Sequence, residues 1–324
     1  MSNTPTTQLT SLLGLDPATY RSHSLHDTDR SYAETNCYTD ILIELLHACG
    51  QEPLAAMGAT VRIDFEGDQW TFFKPPPEDL ELLFGLDIHE MQPYRPLPDQ
   101  AAEQIEQGRT LIVELDSWYL PDAAATSYRR EHVKSSVVIE GIDRDSERLR
   151  YFHGTGLYEL SGEDYRGVFR LGHHFSEDVL PPYTELVRFD VGPRLRAAEL
   201  REAARSRLRH HLARRPQSNP FVRFASQLEL DLPRLLEGDA ADYHAYAFAT
   251  VRMAGSAFGA AATFVDWLRI DSPAVSDAFA RIVEGCKILS FRLARRRPFE
   301  PGPTVAELAG AWDEAMTRLD DAIG

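Results

Sequence analysis

The sequence changes character between residues 185 and 193, which restricts the chain to two differently built parts. Before this point, short β-rich runs alternate with a few helical stretches. After it, Ala, Leu, Arg and Glu dominate, with apolar residues at helical spacing. The pairs Pro181-Pro182 and Gly192-Pro193, which interrupt regular secondary structure, lie close to this change in composition. We therefore predict an α+β domain over residues 1–190 and an all-helical domain over residues 191–324, because a chain of 324 residues has the length of about two domains.

Charge and cysteine content limit the class of partner and the compartment. The chain carries 34 Lys and Arg against 50 Asp and Glu, a formal net charge of −16. That balance disfavours non-specific nucleic-acid binding, which depends on neutralising phosphates. Three cysteines without a repeating spacing favour neither a disulfide framework nor a Cys-rich zinc site. The sequence has no charged leader followed by a long apolar stretch, so we expect a cytoplasmic protein with no membrane partner, nucleic acid or metal.

The first domain is predicted to contain a helix followed by an antiparallel sheet. Residues 38–49 place apolar side chains on one helical face, and Gly50 stands where a glycine commonly ends a helix. The runs at 110–115, 134–142 and 149–153 have the apolar and β-branched composition of strands.

Cys37 is the first candidate for chemistry, because it follows polar residues at the start of the predicted helix. Unpaired backbone amides and the helix dipole favour an anion there, and a thiolate is the nucleophilic form of cysteine. Cys49 and Cys286 instead have apolar neighbours on helices and are expected to pack in the core. A buried structural cysteine is the alternative interpretation of Cys37.

A nucleophilic cysteine needs a base, and His132 lies just before a predicted strand. A histidine at the start of a strand that faces a helix amino terminus is the arrangement of papain-like sites, where the imidazole takes the thiol proton. The residue that orients the imidazole stays open at this point. His153 ends the next strand, and Asp116, Asp143 and Glu34 are the other candidates.

These motifs resemble the butirosin-biosynthesis acyl-transfer protein family. The resemblance is carried by GRTLIVELDSWYLP at residues 108–121, by His132 and by VVIEGID at residues 137–143. The dipeptide Asn36-Cys37 ahead of a helix and the run RMAGSAF at residues 252–258 are similar to that family as well.

More narrowly, three segments look like an uncharacterised bacterial domain-of-unknown-function family. They are ETNC at residues 34–37, DFEGDQWTFFK at residues 64–74 and YRR at residues 128–130. Members of that family are commonly encoded near amino acid:carrier-protein ligases, which implies an aminoacyl cargo and a role in secondary metabolism.

The resemblance implies a papain-like or transglutaminase-like first domain in which Cys37 and His132 are catalytic. Cys37 would accept an acyl group from a carrier-protein thioester and pass it to an amine of a small molecule or a protein. No cofactor would be bound, because the carrier presents its own phosphopantetheine. Backbone amides at Cys37 and Tyr38, with the side chain of Asn36 or Gln69, are the expected oxyanion donors. The aromatic block around Trp70 is expected to line the acyl channel, with core packing as the alternative.

The second domain offers a candidate docking surface for the carrier. Residues 194–215 contain eight arginines in an otherwise acidic chain. Among them, Arg201, Arg205 and Arg209 are predicted to steer and orient an acidic carrier protein. A solvated helix face paired with neighbouring glutamates is the alternative interpretation.

Three functions fit the sequence. The leading hypothesis is a cysteine-dependent acyltransferase. A cysteine amidase or peptidase would use the same Cys37 and His132 but admit water to the acyl-enzyme. A non-catalytic carrier-binding module, in which the Cys–His pair is vestigial, is the third.

Overall fold

The computed structural model describes residues 9–172, 180–189, 191–192 and 194–323. Its fold is mixed α+β, with an antiparallel sheet and helices in the first part and a helical carboxy-terminal region, as the sequence predicts. The described residues form nine strands: β1 (Thr10–Ser11), β2 (Phe65–Glu66), β3 (Gln69–Trp70), β4 (Asp87–Met91), β5 (Thr110–Asp116), β6 (Lys134–Asp143), β7 (Arg148–His153), β8 (Gly156–Ser161) and β9 (Thr184–Arg188).

The described residues also form ten α-helices: α1 (Cys37–Ala48), α2 (Pro77–Phe84), α3 (Leu97–Glu106), α4 (Glu163–Val168), α5 (Ala197–Leu212), α6 (Pro220–Glu237), α7 (Ala240–Ala247), α8 (Met253–Trp267), α9 (Pro273–Ala294) and α10 (Gly302–Ile323). The predicted helix matches α1 with its bounds shifted by one residue, and Gly50 takes a positive φ of 71° after it. The three predicted strands are confirmed as β5, β6 and β7.

The chain divides into two units, and each is built from three separate segments of the sequence. The first unit comprises Met1–Ser24, Cys37–Glu52 and Leu80–Arg194. The second comprises Leu25–Asn36, Pro53–Asp79 and Leu195–Gly324. Two segments of the amino-terminal half therefore belong with the carboxy-terminal helices. A single boundary near residue 190 would assign both segments to the first domain.

In the first unit, six strands pair antiparallel in the order β4-β9-β5-β6-β7-β8, and β1 adds to the far end of β6. Alternation along the strands gives this sheet two different faces. One face packs its apolar side chains, such as Val113, Val137 and Tyr151, against α3 and α4. The opposite face is covered by α1, whose apolar residues from Ile41 to Leu46 are almost fully buried. The sheet is thus a middle layer, and α1 lies on the face opposite α3 and α4.

The second unit is built from α5 to α10, the β2–β3 hairpin and a 3-10 segment, Pro53–Arg62, that packs against α5 and α8. Its largest helix contact is between α9 and α10. Trp70 of the hairpin packs among Phe65, Phe221 and Phe258, with ring centroids 4.8 to 6.2 Å apart. These ring contacts pack the hairpin into the core of this unit.

One helical stretch in the described residues, Ala240–Trp267, has the length and composition of a membrane span, with a mean hydropathy of 1.2. Within its apolar window, 67% of the residues are buried inside the protein. That burial is typical of a core helix.

Candidate active site

Cys37 is the first residue of α1, which places its thiol at the amino terminus of the helix that covers the sheet. The side chain is half-buried. Its sulfur lies 3.6 Å from the hydroxyl of Ser136, a residue of β6 that is 2% exposed. The sulfur therefore contacts a hydroxyl on the sheet, and no histidine takes that position among the described residues.

His132 lies two residues before β6 begins, and Asp116 at the end of β5 holds its ring. The Nδ1 atom of His132 is 2.7 Å from Oδ2 of Asp116. The imidazole also stacks on Trp118, with centroids 4.6 Å apart and planes 11° from parallel. Oδ1 of Asp116 accepts the backbone N–H of Trp118 at 3.0 Å. Because a carboxylate only accepts, Nδ1 donates in the neutral ring and Nε2 is left as the proton acceptor.

Strand register places these two pairs on one face of the sheet, and no hydrogen bond joins Cys37 to His132. Ser136 is opposite Glu114, and Lys134 is opposite Asp116. Alternation therefore puts Ser136 and Asp116 on the α1 face, with Asp116 displaced from Ser136 by two residues, or about 7 Å. The structure thus joins Cys37 with Ser136 and His132 with Asp116, as two separate pairs. His132 lies before the strand begins, so the sheet does not cover its imidazole. The side chain is 65% exposed.

His153 points to the opposite face of the sheet. Its Nε2 is 2.7 Å from Oγ of Ser135, and its Nδ1 pairs with Asp122. It therefore does not orient His132, a role that the hydrogen bond of Asp116 fills. The two remaining sequence candidates for this role have other partners: Asp143 accepts from Ser146 in the turn after β6, and Glu34 pairs with Arg252 in the second unit.

Tyr38 anchors the start of α1 to β9. Its hydroxyl donates to Oε2 of Glu185 at 2.7 Å, and the hydroxyl of Tyr183 donates to Oε1 at 2.8 Å. Burial and the hydrogen bond to Glu185 raise the pKa of Tyr38. Sequence reasoning missed Glu185 and Tyr183 because it did not predict β9. The available signal was the short run of aromatic, β-branched and apolar residues at 183–189, which follows Pro181-Pro182.

The predicted substrate residues Asn36, Gln69 and Trp70 belong to the second unit. Within it, the side-chain amide of the buried Asn36 donates to the carbonyl of Phe73 at 2.9 Å. Gln69 is exposed in the hairpin, whereas Trp70 is buried in the aromatic cluster of that unit. Their roles as oxyanion donors or channel residues stay predictions.

Two family models match the chain over nearly its whole length. Residues 21–189 match the DUF1839 N-terminal domain, and residues 197–321 match the DUF1839 C-terminal domain. The chain belongs to the DUF1839 family. This is an uncharacterised family, which agrees with the narrower of the two resemblances in the sequence; the butirosin resemblance stays an expectation. No curated protein matches the chain.

The arginines predicted to dock a carrier make contacts inside the second unit of this DUF1839 chain. Nε of Arg201 donates to the carbonyl of Trp267 at 3.0 Å, and its guanidinium lies over the indole ring. Arg205 donates to the carbonyl of Leu268 at 2.8 Å, and Arg209 to that of Ile323 at 2.8 Å. The accepting carbonyls lie at the carboxyl ends of α8 and α10, where cations are favourable. Docking by these residues stays a prediction.

The other two cysteines of the DUF1839 chain provide contrasting environments. Cys286 on α9 is 1% exposed, and burial raises the pKa of its thiol. Cys49 is half-buried directly after α1. Among the residues that the structure describes, no group of three or more His, Cys, Asp and Glu side chains is arranged to hold a metal ion.

Proposed function

We propose that this DUF1839 chain is a cysteine-dependent acyltransferase with a papain-like arrangement in its first unit. It takes an acyl group, expected to be aminoacyl, from the phosphopantetheine thioester of a carrier protein and passes it through Cys37 to an amine. One observation carries the proposal: Cys37 heads α1 on the same sheet face as the hydrogen-bonded Asp116–His132 pair. We place the reaction in the cytoplasm, with the carrier protein and the amine acceptor as partners.

In the first step, the Cys37 thiolate attacks the thioester carbonyl. A new carbon–sulfur bond forms, the bond to phosphopantetheine sulfur breaks, and the released thiolate takes up the proton that Cys37 lost. The hydroxyl of Ser136, 3.6 Å from the sulfur, is in position to donate to the thiolate. The backbone N–H groups of Cys37 and Tyr38, in the first turn of α1, are the expected donors to the oxyanion.

In the second step, the acceptor amine attacks the acyl-Cys37 carbonyl, and the sulfur leaves as a thiolate. The amine loses one proton when the amide bond forms. We assign the acceptance of that proton to Nε2 of His132, because Asp116 occupies Nδ1 and the ring faces solvent. This role differs from the papain-like expectation that the histidine deprotonates the thiol, because the hydrogen bond of the sulfur is to Ser136 and not to His132.

A small aminoacyl thioester, such as the N-acetylcysteamine thioester of alanine, tests the first step. Intact-protein mass spectrometry should detect an aminoacyl adduct that peptide mapping places on Cys37. The adduct should be absent from Cys37→Ala and retained in the matched variant Cys49→Ala. Acylation of Cys49 at the same rate as Cys37 would contradict the proposal.

Hydrolysis is the second candidate function, and the exposure of His132 favours it. A ring that is 65% exposed is open to water as well as to an amine. Release of free amino acid from the Cys37 adduct, at a rate that added hydroxylamine does not change, would identify a cysteine amidase or peptidase. Carrier-protein binding that survives Cys37→Ala, with no adduct formed by the wild type, would identify a binding module.

A further inference from the structure

A second hydrogen-bonded array lies on the sheet face opposite Cys37. It consists of Ser135 on β6, His153 at the end of β7 and Asp122 in the short helical turn Pro121–Ala123. Ser135 Oγ lies 2.7 Å from His153 Nε2, and Nδ1 of the same ring pairs with Oδ2 of Asp122. The three groups form a hydroxyl–imidazole–carboxylate chain, the order that activates a serine nucleophile.

The carboxylate of Asp122 is held from both sides. Its Oδ1 accepts a hydrogen bond from the hydroxyl of Tyr151 at 2.5 Å. Its Oδ2 pairs with Nδ1 of the His153 imidazole. Tyr151 is fully buried, and burial together with the charge of Asp122 raises the pKa of its hydroxyl, so Tyr151 remains a donor. With both carboxylate oxygens accepting, Nδ1 of His153 donates and Nε2 accepts from Ser135. This tautomer allows the imidazole to take the serine proton.

The array is partly open to solvent. Ser135 is half-buried, whereas its neighbour Ser136 on the other face is closed off. The His153 side chain retains 14% exposure. Gly154, the next residue, sits at a φ of 49°, and a Cβ built there would meet no atom within 4 Å. The turn beside His153 is therefore open at Gly154.

We propose that Ser135 is a second nucleophile, activated by His153 and positioned by Asp122, which cleaves small carboxylic esters or thioesters. Ser135 Oγ bonds to the acyl carbon and its proton moves to His153 Nε2; the bond to the leaving oxygen or sulfur breaks, and the leaving group takes that proton. Water then attacks the acyl-serine and gives a proton to His153, which returns it to Ser135 as the acid departs. The array shares no residue with the Cys37 site and does not depend on it.

A small fluorophosphonate, diisopropyl fluorophosphate, tests this assignment on the full chain. Attack by Ser135 forms an oxygen–phosphorus bond and releases fluoride, with the serine proton passing to His153. Peptide mass spectrometry should find Ser135 labelled about 100-fold or more faster than the exposed Ser206, the scale of rate gain expected from a positioned base. The wild-type protein supplies this comparison, so it does not depend on whether a variant folds.

Variants then separate a nucleophile from a structural hydrogen bond. Ser135→Ala should lose the label, His153→Gln should slow labelling about 100-fold, and Ser206→Ala should leave the labelling of Ser135 unchanged. Labelling of Ser135 no faster than Ser206, or a rate that ignores His153→Gln in a folded variant, would overturn the proposal and leave the array as a structural network.

Discussion

At the scale of single residues, adjacent side chains of β6 have different chemical surroundings. Ser136 contacts the Cys37 sulfur, while Ser135 contacts His153 on the other face. The cause is the two-residue period of a strand, which sends neighbouring side chains to opposite faces. A pair of identical hydroxyls thus serves two candidate sites.

The three cysteines should differ in their reaction with iodoacetamide. We expect Cys37 to react at least about tenfold faster than Cys49 at pH 7.5, because a helix amino terminus favours the thiolate. Cys286 should stay unmodified in the folded protein, since it is 1% exposed and burial raises the pKa of its thiol. Peptide mass spectrometry over a time course measures all three. Equal rates at Cys37 and Cys49 would contradict an activated nucleophile.

Asp116→Asn tests the role of the His132 partner. The amide can donate to Nδ1, which would place the hydrogen on Nε2 and remove the proton acceptor from the solvent side. We expect amine transfer to fall by about 100-fold or more while acylation of Cys37 is retained. Single-turnover assays with the aminoacyl thioester separate the two steps.

The control for this variant is Lys134→Ala. Lys134 lies opposite Asp116 and forms a 2.5 Å ion pair with Glu114 on the same sheet face. Its side chain is 69% exposed, so the loss should change neither step appreciably. A slower acylation step in Asp116→Asn would assign His132 to the thiol proton instead.

At the scale of elements, α5 fastens the ends of two other helices through its arginines. Arg201 and Arg205 bond carbonyls at the end of α8, and Arg209 bonds the last turn of α10. A cluster that the sequence suggests for docking thus has an architectural role, because carbonyls at helix ends lack partners and accept readily from cations.

Arg205→Ala should lower the free energy of unfolding by about 1 to 3 kcal/mol, because it leaves the Leu268 carbonyl without its charged donor. The control is Arg214→Ala, since Arg214 bonds only within its own chain segment, to His210. Urea unfolding compares the two. Unchanged stability of Arg205→Ala together with weaker binding of an acidic carrier protein would favour docking.

Two glycines of the α9–α10 pair should respond oppositely to alanine. A Cβ at Gly285 would lie 2.6 Å from Leu308, which is fully buried and cannot easily move, so Gly285→Ala should cost about 1 kcal/mol or more. Gly310 is exposed, and a Cβ there would meet no atom within 4 Å, so Gly310→Ala should stabilise α10 by about 0.5 to 1 kcal/mol. Thermal unfolding gives the sign for each, and a stabilised Gly285→Ala would contradict the packing.

At the scale of the whole molecule, stability should fall in alkaline solution. Burial raises the pKa of Cys286, and burial with the charge of Asp122 raises that of Tyr151. Such groups hold their protons more tightly when folded. Their contribution to the free energy of unfolding is complete below the pKa that each group has in the unfolded chain, near 8.5 for a thiol and 10 for a tyrosine. It is lost as the pH rises from there towards the pKa that the group has in the folded protein.

Urea unfolding between pH 8 and pH 10 measures this decline. Above about pH 8.5, Cys286 alone should contribute a slope of up to about 1.4 kcal/mol per pH unit. Cys286→Ala should flatten that part of the curve, whereas Cys49→Ala should not. The same slope in both variants would contradict the assignment to Cys286.

Local patterns in the sequence determined much of the first unit and of the helical region. The amphipathic run before Gly50 predicts α1, and apolar composition predicts β5, β6 and β7, because these features depend on residues close in the chain. Family membership follows from the sequence as well. Cys37 and the pairing candidates His132 and Asp116 were also visible there.

Only the tertiary structure decided which of those residues meet. Strand register places Ser136, not His132, at the Cys37 sulfur, and sends His153 to the opposite face with Ser135. Register and face are set by long-range pairing and core burial, and a shift of one residue would exchange them. The partners of the arginines likewise lie 63 or more residues away in the chain, so no local pattern of sequence could reveal them.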